Sequence, residues 1–218
     1  MINSDFIIVL AWPEGETTAA GAWYDSFCAT NGKYRVGHSA LILINSENKE
    51  LLYFDFGRYH TPTGFGRVRD KETDPDIGIP ISAEIEDNRI KNIKEILVHT
   101  KNKKANHGEG KLYASILNNV NFISSYRFAK KIQEKGIIPY GPFVPKGSNC
   151  SRFVSATIRK SNPSLIKNLR LQFPFSLSPS PKRNVSISNN NYYVIEKNKF
   201  EKIKRNKING YFRGIERK

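Results

Sequence analysis

The stretch Gly37-His38-Ser39-Ala40-Leu41-Ile42-Leu43-Ile44, followed after Asn45-Ser46-Glu47-Asn48-Lys49-Glu50 by Leu51-Leu52-Tyr53-Phe54-Asp55-Phe56, decides the fold. Two apolar, aliphatic and aromatic runs separated by six polar residues rich in turn formers read as a β-hairpin. The first run is apolar on both faces beyond Ser39, which places it at the centre of a sheet. Asp55 interrupts the second run, and a carboxylate in an apolar strand is costly unless it has a partner. If the loop is Asn45–Asn48, Ile44 faces Lys49 and His38 faces Asp55, on one face with Cβ atoms roughly 5 Å apart. A two-residue change of register would keep the two on one face but diagonal, whereas a one-residue slip would separate them. A carboxylate on one imidazole nitrogen fixes the tautomer and frees the other nitrogen to take a proton, so the pair has the makings of a base and its orienter.

Cys150 is the candidate nucleophile. The loop formers Gly141-Pro142 and Pro145-Lys146-Gly147 precede Ser148-Asn149-Cys150, and Phe153, Val154, Thr157 and Ile158 then recur at helical spacing. Asn149 suits the cap position. A thiol in a first helical turn lies among unpaired N–H groups at the positive end of the helix dipole, which lowers its pKa. The plain alternatives are a small core residue at Cys150 and, at His38, a strand-end imidazole bonded to a backbone carbonyl. Cys28 falls on the apolar face of a helix expected over 19–30, with Ala20, Trp23, Tyr24 and Phe27, and reads as core.

The remaining organisation is that of one fold without internal repeats. Phe6–Trp12 is a buried strand, and Gly57–Pro80, rich in Gly, Pro, Thr and charge, is expected to be a rim loop with Arg67 as a weak substrate contact. Further expectations are a strand over 79–85, a helix over 88–100, a strand over 111–117 and a helix over 124–134. His107-Gly108-Glu109-Gly110 is a polar loop whose His107 and Glu109 are weak candidates for lining a cleft, though plain surface residues are commoner in such loops. The cysteines and histidines match no zinc-site spacing. The globular domain is expected to span 1–175, followed at 176–218 by a Pro/Ser linker and a basic extension.

Composition sets outer limits. The 218 residues are 39% hydrophobic and 11% aromatic, enough for a real core. No apolar run reaches the roughly 18–20 residues that cross a bilayer, and no secretory leader is visible, so the expected compartment is the cytoplasm. The net charge is +15, and the stretch from Lys182 to the end holds eleven cationic and three acidic side chains. That tail reads either as a solvated or partly packed extension or as a contact for nucleic acid or an acidic surface, the first being favoured.

Gly37-His38-Ser39-Ala40 on an early strand, an acidic residue on the next, and Tyr140 ten residues before Cys150 in Asn149-Cys150-Ser151-Arg152-Phe153-Val154 together resemble the circularly permuted NlpC/P60 group. These papain-like proteins include lecithin:retinol acyltransferase-like enzymes; the wider chain also resembles an uncharacterised bacterial family. The resemblance spans roughly residues 35–160 and rests on short motifs. It implies an α+β, papain-like fold in permuted order, with a small antiparallel sheet and a Cys-bearing helix. It further implies Cys150 as nucleophile, His38 as base, Asp55 as orienter, Tyr140 near the substrate, and no cofactor. The function so implied is a thiol hydrolase or acyltransferase acting on a peptide, amide or ester carbonyl. The alternative is an inactive binding module of the same fold, for anionic polymers through the basic tail.

Overall fold

The computed structural model describes residues 5–19, 26, 30–144, 146–172, 178–197, 199–206, 210 and 214–215. In chain order the strands are β1 (Asp5–Trp12), β2 (Glu16–Thr18), β3 (Lys33–Arg35), β4 (His38–Ile44), β5 (Leu51–Gly57), β6 (Phe65–Arg69), β7 (Ile85–Glu86), β8 (Arg89–Ile90), β9 (Leu112–Val120), β10 (Ile138–Pro139), β11 (Tyr192–Glu196) and β12 (Lys199–Ile203). The helices are α1 (Ile93–Asn102), α2 (Phe122–Gln133), α3 (Cys150–Lys160), α4 (Leu165–Gln172) and α5 (Pro181–Ser188). Eight strands form one antiparallel sheet in the order β10-β6-β5-β4-β1-β9-β11-β12.

The apolar pattern of β1 explains its central place. Phe6 to Trp12 are all fully buried, because helices cover both faces of the sheet. Phe6, Ile8, Leu10 and Trp12 join Ala40, Ile42, Ile44 and the α1 residues Ile93, Ile96 and Leu97 in one core. Ile7, Val9 and Ala11 join Leu41, Leu43, Phe54, Phe56 and residues of α2 to α5 in the other. Truncating any of these aliphatic side chains to Ala would cost about 2–5 kcal/mol, so the middle of the sheet is a rigid platform.

The hairpin register differs by two from the four-residue-loop expectation. Ile44 pairs with Leu51 and Ala40 with Asp55, so all six residues 45–50 form the loop. The side chains of Asn45 and Asn48 accept the N–H groups of Glu47 and Glu50, and Lys49 is left-handed at φ 59°. Two such Asx turns accommodate the longer loop. Asp55 and His38 remain on one face, diagonal to one another.

Two larger corrections concern the rim and the tail. Residues 57–80 are not all loop, since Phe65–Arg69 is a strand that pairs Arg69 with Asp55. The tail after Pro181 is not an appendage. It contributes α5, and β11 pairs with β9 inside the sheet. The sheet is therefore large, not small. Val185, Ile187, Tyr192 and Ile195 are buried, and the tail's cations are used internally: Arg205 donates to the carbonyls of Ser186, Asn189 and Asn190, closing the end of α5. Only a two-residue strand and an isolated Glu50–Ser82 bridge occupy the region expected as a strand over 79–85. Nearly all of the expected helix over 19–30, including Cys28, and Tyr211-Phe212 lie outside the described residues. Among the described residues, no helix is long and apolar enough to cross a membrane.

Candidate active site

The candidate residues meet at the end of the sheet where β1 and β5 finish and β4 and β6 begin. Asn149 caps α3 by accepting the N–H of Arg152 at 2.9 Å, and Phe153, Val154 and Ile158 seat the helix on the sheet. Cys150, its first residue, is thereby held against the start of β4. The buried thiol lies 4.0 Å from the Ser151 hydroxyl, and the His38 imidazole and the Ser39 backbone N–H are near enough to act on its charge. Burial alone would raise the thiol pKa, but the bond and charge of His38 and the two further donors hold it below its ordinary value.

His38 places Nε2 at 3.2 Å from Oδ2 of Asp55, which leaves Nδ1 outside that bond. Burial would depress its pKa; the Asp55 carboxylate and the Cys150 contact outweigh that and lift it to about 9. The two shifts run in opposite directions, the imidazole gaining and the thiol losing affinity for a proton, which favours the thiolate–imidazolium form over the neutral pair. The imidazole is fixed from both sides, stacked on Trp12 at 5.7 Å between centroids and edge-on to Tyr59 at 6.4 Å. Gly37, just before it, has φ +66°, and a Cβ there would lie 2.4 Å from the Trp12 carbonyl oxygen, so only glycine admits this turn into β4.

Asp55 is fully buried but not unpartnered. Arg69 grips it with Nε on Oδ1 at 3.0 Å and Nη2 on Oδ2 at 2.7 Å, while the hydroxyls of Tyr53 and Tyr59 donate to Oδ2 at 3.2 and 3.3 Å. Burial would raise its pKa; His38 and Arg69 together bring it down to about 2, so it is an anion throughout the physiological range. The Arg69 guanidinium lies 3.4 Å above the centre of the Tyr59 ring and also donates to the carbonyl of Ala105.

The weaker candidates divide. Tyr140 lies flat on Phe56, with 3° between the rings, and burial together with the neighbouring Cys150 thiol pushes its pKa up. His107 stacks on Tyr59 at 5.2 Å at the margin of the site; burial and the charge of Arg69 lower its pKa. Glu109 stays exposed in the same loop. Arg67 puts both Nη atoms on Asp74 and Nε on the Tyr59 carbonyl, so its guanidinium braces the 59–74 segment. Sequence reasoning missed Trp12, Tyr53, Tyr59 and Arg69. Tyr53 shares the face of Asp55 by strand alternation and was within reach of that reading; Arg69 depended on recognising β6. Among the described residues, no three His, Cys, Asp or Glu cluster in a way that could hold a metal.

No curated protein matches the chain. Its fold matches the crystal structure of the type VI secretion system effector TseH with a TM-score of 0.61, over 91% of this chain and 97% of that one, at 19% identity. At that identity the likeness is one of fold: a mixed α+β arrangement around a large antiparallel sheet. The family model for TseH-like type VI secretion system effectors matches residues 7–165, most of the sheet together with α1 to α3. The chain thus belongs to the type VI secretion system effector TseH-like family.

Proposed function

We propose that this effector is a cysteine-dependent hydrolase or acyltransferase with a papain-like, permuted NlpC/P60 arrangement, acting on an amide or ester carbonyl. The observation that carries the reading is the alignment Cys150–His38–Asp55, in which the imidazole lowers the pKa of the buried thiol at one end and bonds a fixed carboxylate at the other. The Cys150 thiolate attacks the carbonyl carbon. The oxygen that becomes anionic is received by the Cys150 N–H and the Tyr140 hydroxyl, a pair of donors whose individual members are commonly worth about 10²–10³ in rate. As the C–N or C–O bond breaks, His38 gives its Nδ1 proton to the departing amine or alkoxide, and a thioester remains. Water, or another acceptor, then attacks the thioester, its proton passes to His38, and the thiolate leaves. Asp55, held by Arg69, keeps the imidazole oriented throughout and never takes the proton. As a member of an effector family, the protein is expected to be exported before it acts.

The test is acylation by activated esters followed by intact-mass analysis. An acyl adduct on Cys150 that hydroxylamine removes, absent from His38→Ala, is the expected result. Folded protein that forms no adduct, or forms it equally without His38, overturns the reading.

A further inference from the structure

The opposite end of the sheet holds a cavity that the chemistry above does not use. It has a volume of about 380 Å³, within the roughly 300–1,000 Å³ of small-ligand sites. It runs from Phe6 at the start of β1 across β9 to Tyr193 and Lys202 on β11 and β12, whereas the site lies by the end of β1, at Trp12, on the side of β4 and β5. Six residues of extended chain separate the two by roughly 20 Å.

The wall chemistry is one-sided. Arg89, Lys202, Asn118, Asn189 and Asn191 are its polar lining, over the buried side chains of Phe6 and Tyr193, and no carboxylate lines the cavity. Among the described residues neither Arg89 nor Lys202 forms an ion pair; Lys202 lies 5.7 Å over the Tyr193 ring. The walls are braced from behind. Asn189 donates to the Ile116 carbonyl at 2.7 Å and accepts the Asn191 N–H at 3.1 Å. Asn118 donates to the Asn88 carbonyl, and Asn88 in turn donates to Asn119, which ties the β7–β8 turn to the end of β9. Asn189 uses both sides of its amide, whereas Asn118 uses only its N–H side and Asn191 only its oxygen, which accepts the Arg205 N–H at 3.4 Å. These bonds leave the Asn118 side-chain oxygen and the Asn191 side-chain N–H groups available beside the two cations.

We propose that this cavity binds a sugar ring carrying an anionic group. The two cations supply the charge complement for a carboxylate or phosphate, and hydrogen bonds to such groups are the stronger kind. The amides offer both donors and an acceptor, which is what ring hydroxyls require and a bare anion does not. Bound there, an acidic glycan would anchor the chain without covering Cys150.

The test is calorimetric titration of the full chain with sodium glucuronate, glucose 6-phosphate, glucose and inorganic phosphate. Either sugar anion should bind, at least about tenfold more tightly than glucose or phosphate, and more weakly as salt rises. The double variant Arg89→Gln/Lys202→Gln should lose at least about tenfold in affinity while keeping the wild-type thermal transition. Should it fail to fold, Asn118→Asp serves instead, since it adds a carboxylate to the wall and should repel the same ligands. Absence of binding at millimolar sugar anion overturns the proposal. So does glucose or phosphate binding as well as the sugar anions, or undiminished binding by the variant that folds. None of these results bears on thiol chemistry, so this proposal and the hydrolase reading fail separately.

Discussion

β6 carries two arginines two residues apart, on one face of the strand, and each grips an aspartate with two N–H groups. Arg67 holds Asp74 at 2.7 and 2.6 Å; Arg69 holds Asp55 at 3.0 and 2.7 Å. The pairing is the same and the surroundings are not. The first pair keeps side-chain exposures of 21% and 12%, against 4% and 0% for the second, so only the second gives up nearly all of its water. Asp74 serves a loop. Asp55 receives, besides its arginine, an imidazole and two phenols. An arginine fork alone makes a brace; the same fork in a dry site makes a carboxylate that stays charged and can orient the base beside a thiol.

The largest effects should come from the residues that only the Asp55 end possesses. Cys150→Ala should abolish alkylation by iodoacetamide at this position. His38→Ala should reduce the rate at pH 6 by about 100-fold, because an ordinary thiol of pKa about 8.5 is under about 1% thiolate there. Mass spectrometry of alkylated peptides measures both, and an unchanged rate in His38→Ala would mean that the helix N-terminus, not the imidazole, sustains the thiolate.

Next in size is the arginine itself. Arg69→Met strands a buried charge and should cost about 3–5 kcal/mol in urea unfolding, with Arg69→Lys intermediate because one ammonium cannot reproduce the fork. A loss below about 1 kcal/mol would place Asp55's stabilisation with its phenols and imidazole.

That arginine also marks where the sequence became hard to read. Cys150, His38 and Asp55 each break the pattern of their own segment: a thiol at a helix start, an imidazole opening an apolar strand, a carboxylate inside one. Such breaks are visible without a structure. The exact register was not, because Asx turns let the hairpin loop take six residues where four would close it. Arg69 was hidden because β6 contains Gly66 and lies within a Gly-, Pro- and charge-rich stretch whose composition reads as loop. The tail was obscured by its charge. Arg205 is a helix-end cap and Lys202 lies over an aromatic ring, so these cations are partly used inside the fold. The apolar cluster Tyr192-Tyr193-Val194-Ile195 was the better guide.

The pH dependence of stability sharpens the contrast. Asp55 has a folded pKa of about 2 against an ordinary 3.8, so its contribution is present above pH 3.8 and lost as pH falls through 2. The difference corresponds to about 2–3 kcal/mol. In Arg69→Met the carboxyl should titrate higher, and acid unfolding should move up in pH. His38 alone, raised from 6.5 to about 9, would contribute stability below pH 6.5 that is lost as pH rises through 9. In the wild type the two shifts have opposite signs, His38 gaining proton affinity on folding and Cys150 losing it, so they offset one another. Cys150→Ala removes that compensation, and its stability should fall more steeply than the wild type's from pH 6.5 upward. Parallel curves for the two proteins, in urea titrations across that range, would contradict the ion pair.

The smallest effect belongs to Arg67. Its pair with Asp74 retains some water, and partly exposed pairs contribute about 1 kcal/mol or less after screening. Arg67→Gln keeps hydrogen bonding while removing the charge, so the expected cost is about 1 kcal/mol, decreasing with salt. Alkylation of Cys150 should change less than about twofold, because neither Asp55 nor His38 bonds to Arg67. A double-mutant cycle completes the comparison: coupling between Arg69 and Asp55 should exceed that between Arg67 and Asp74 by at least about 1 kcal/mol. Equal couplings would mean that desolvation does not separate the two forks. A large loss of thiol reactivity in Arg67→Gln would mean that the brace reaches the imidazole through Tyr59, whose carbonyl it holds and whose hydroxyl bonds Asp55.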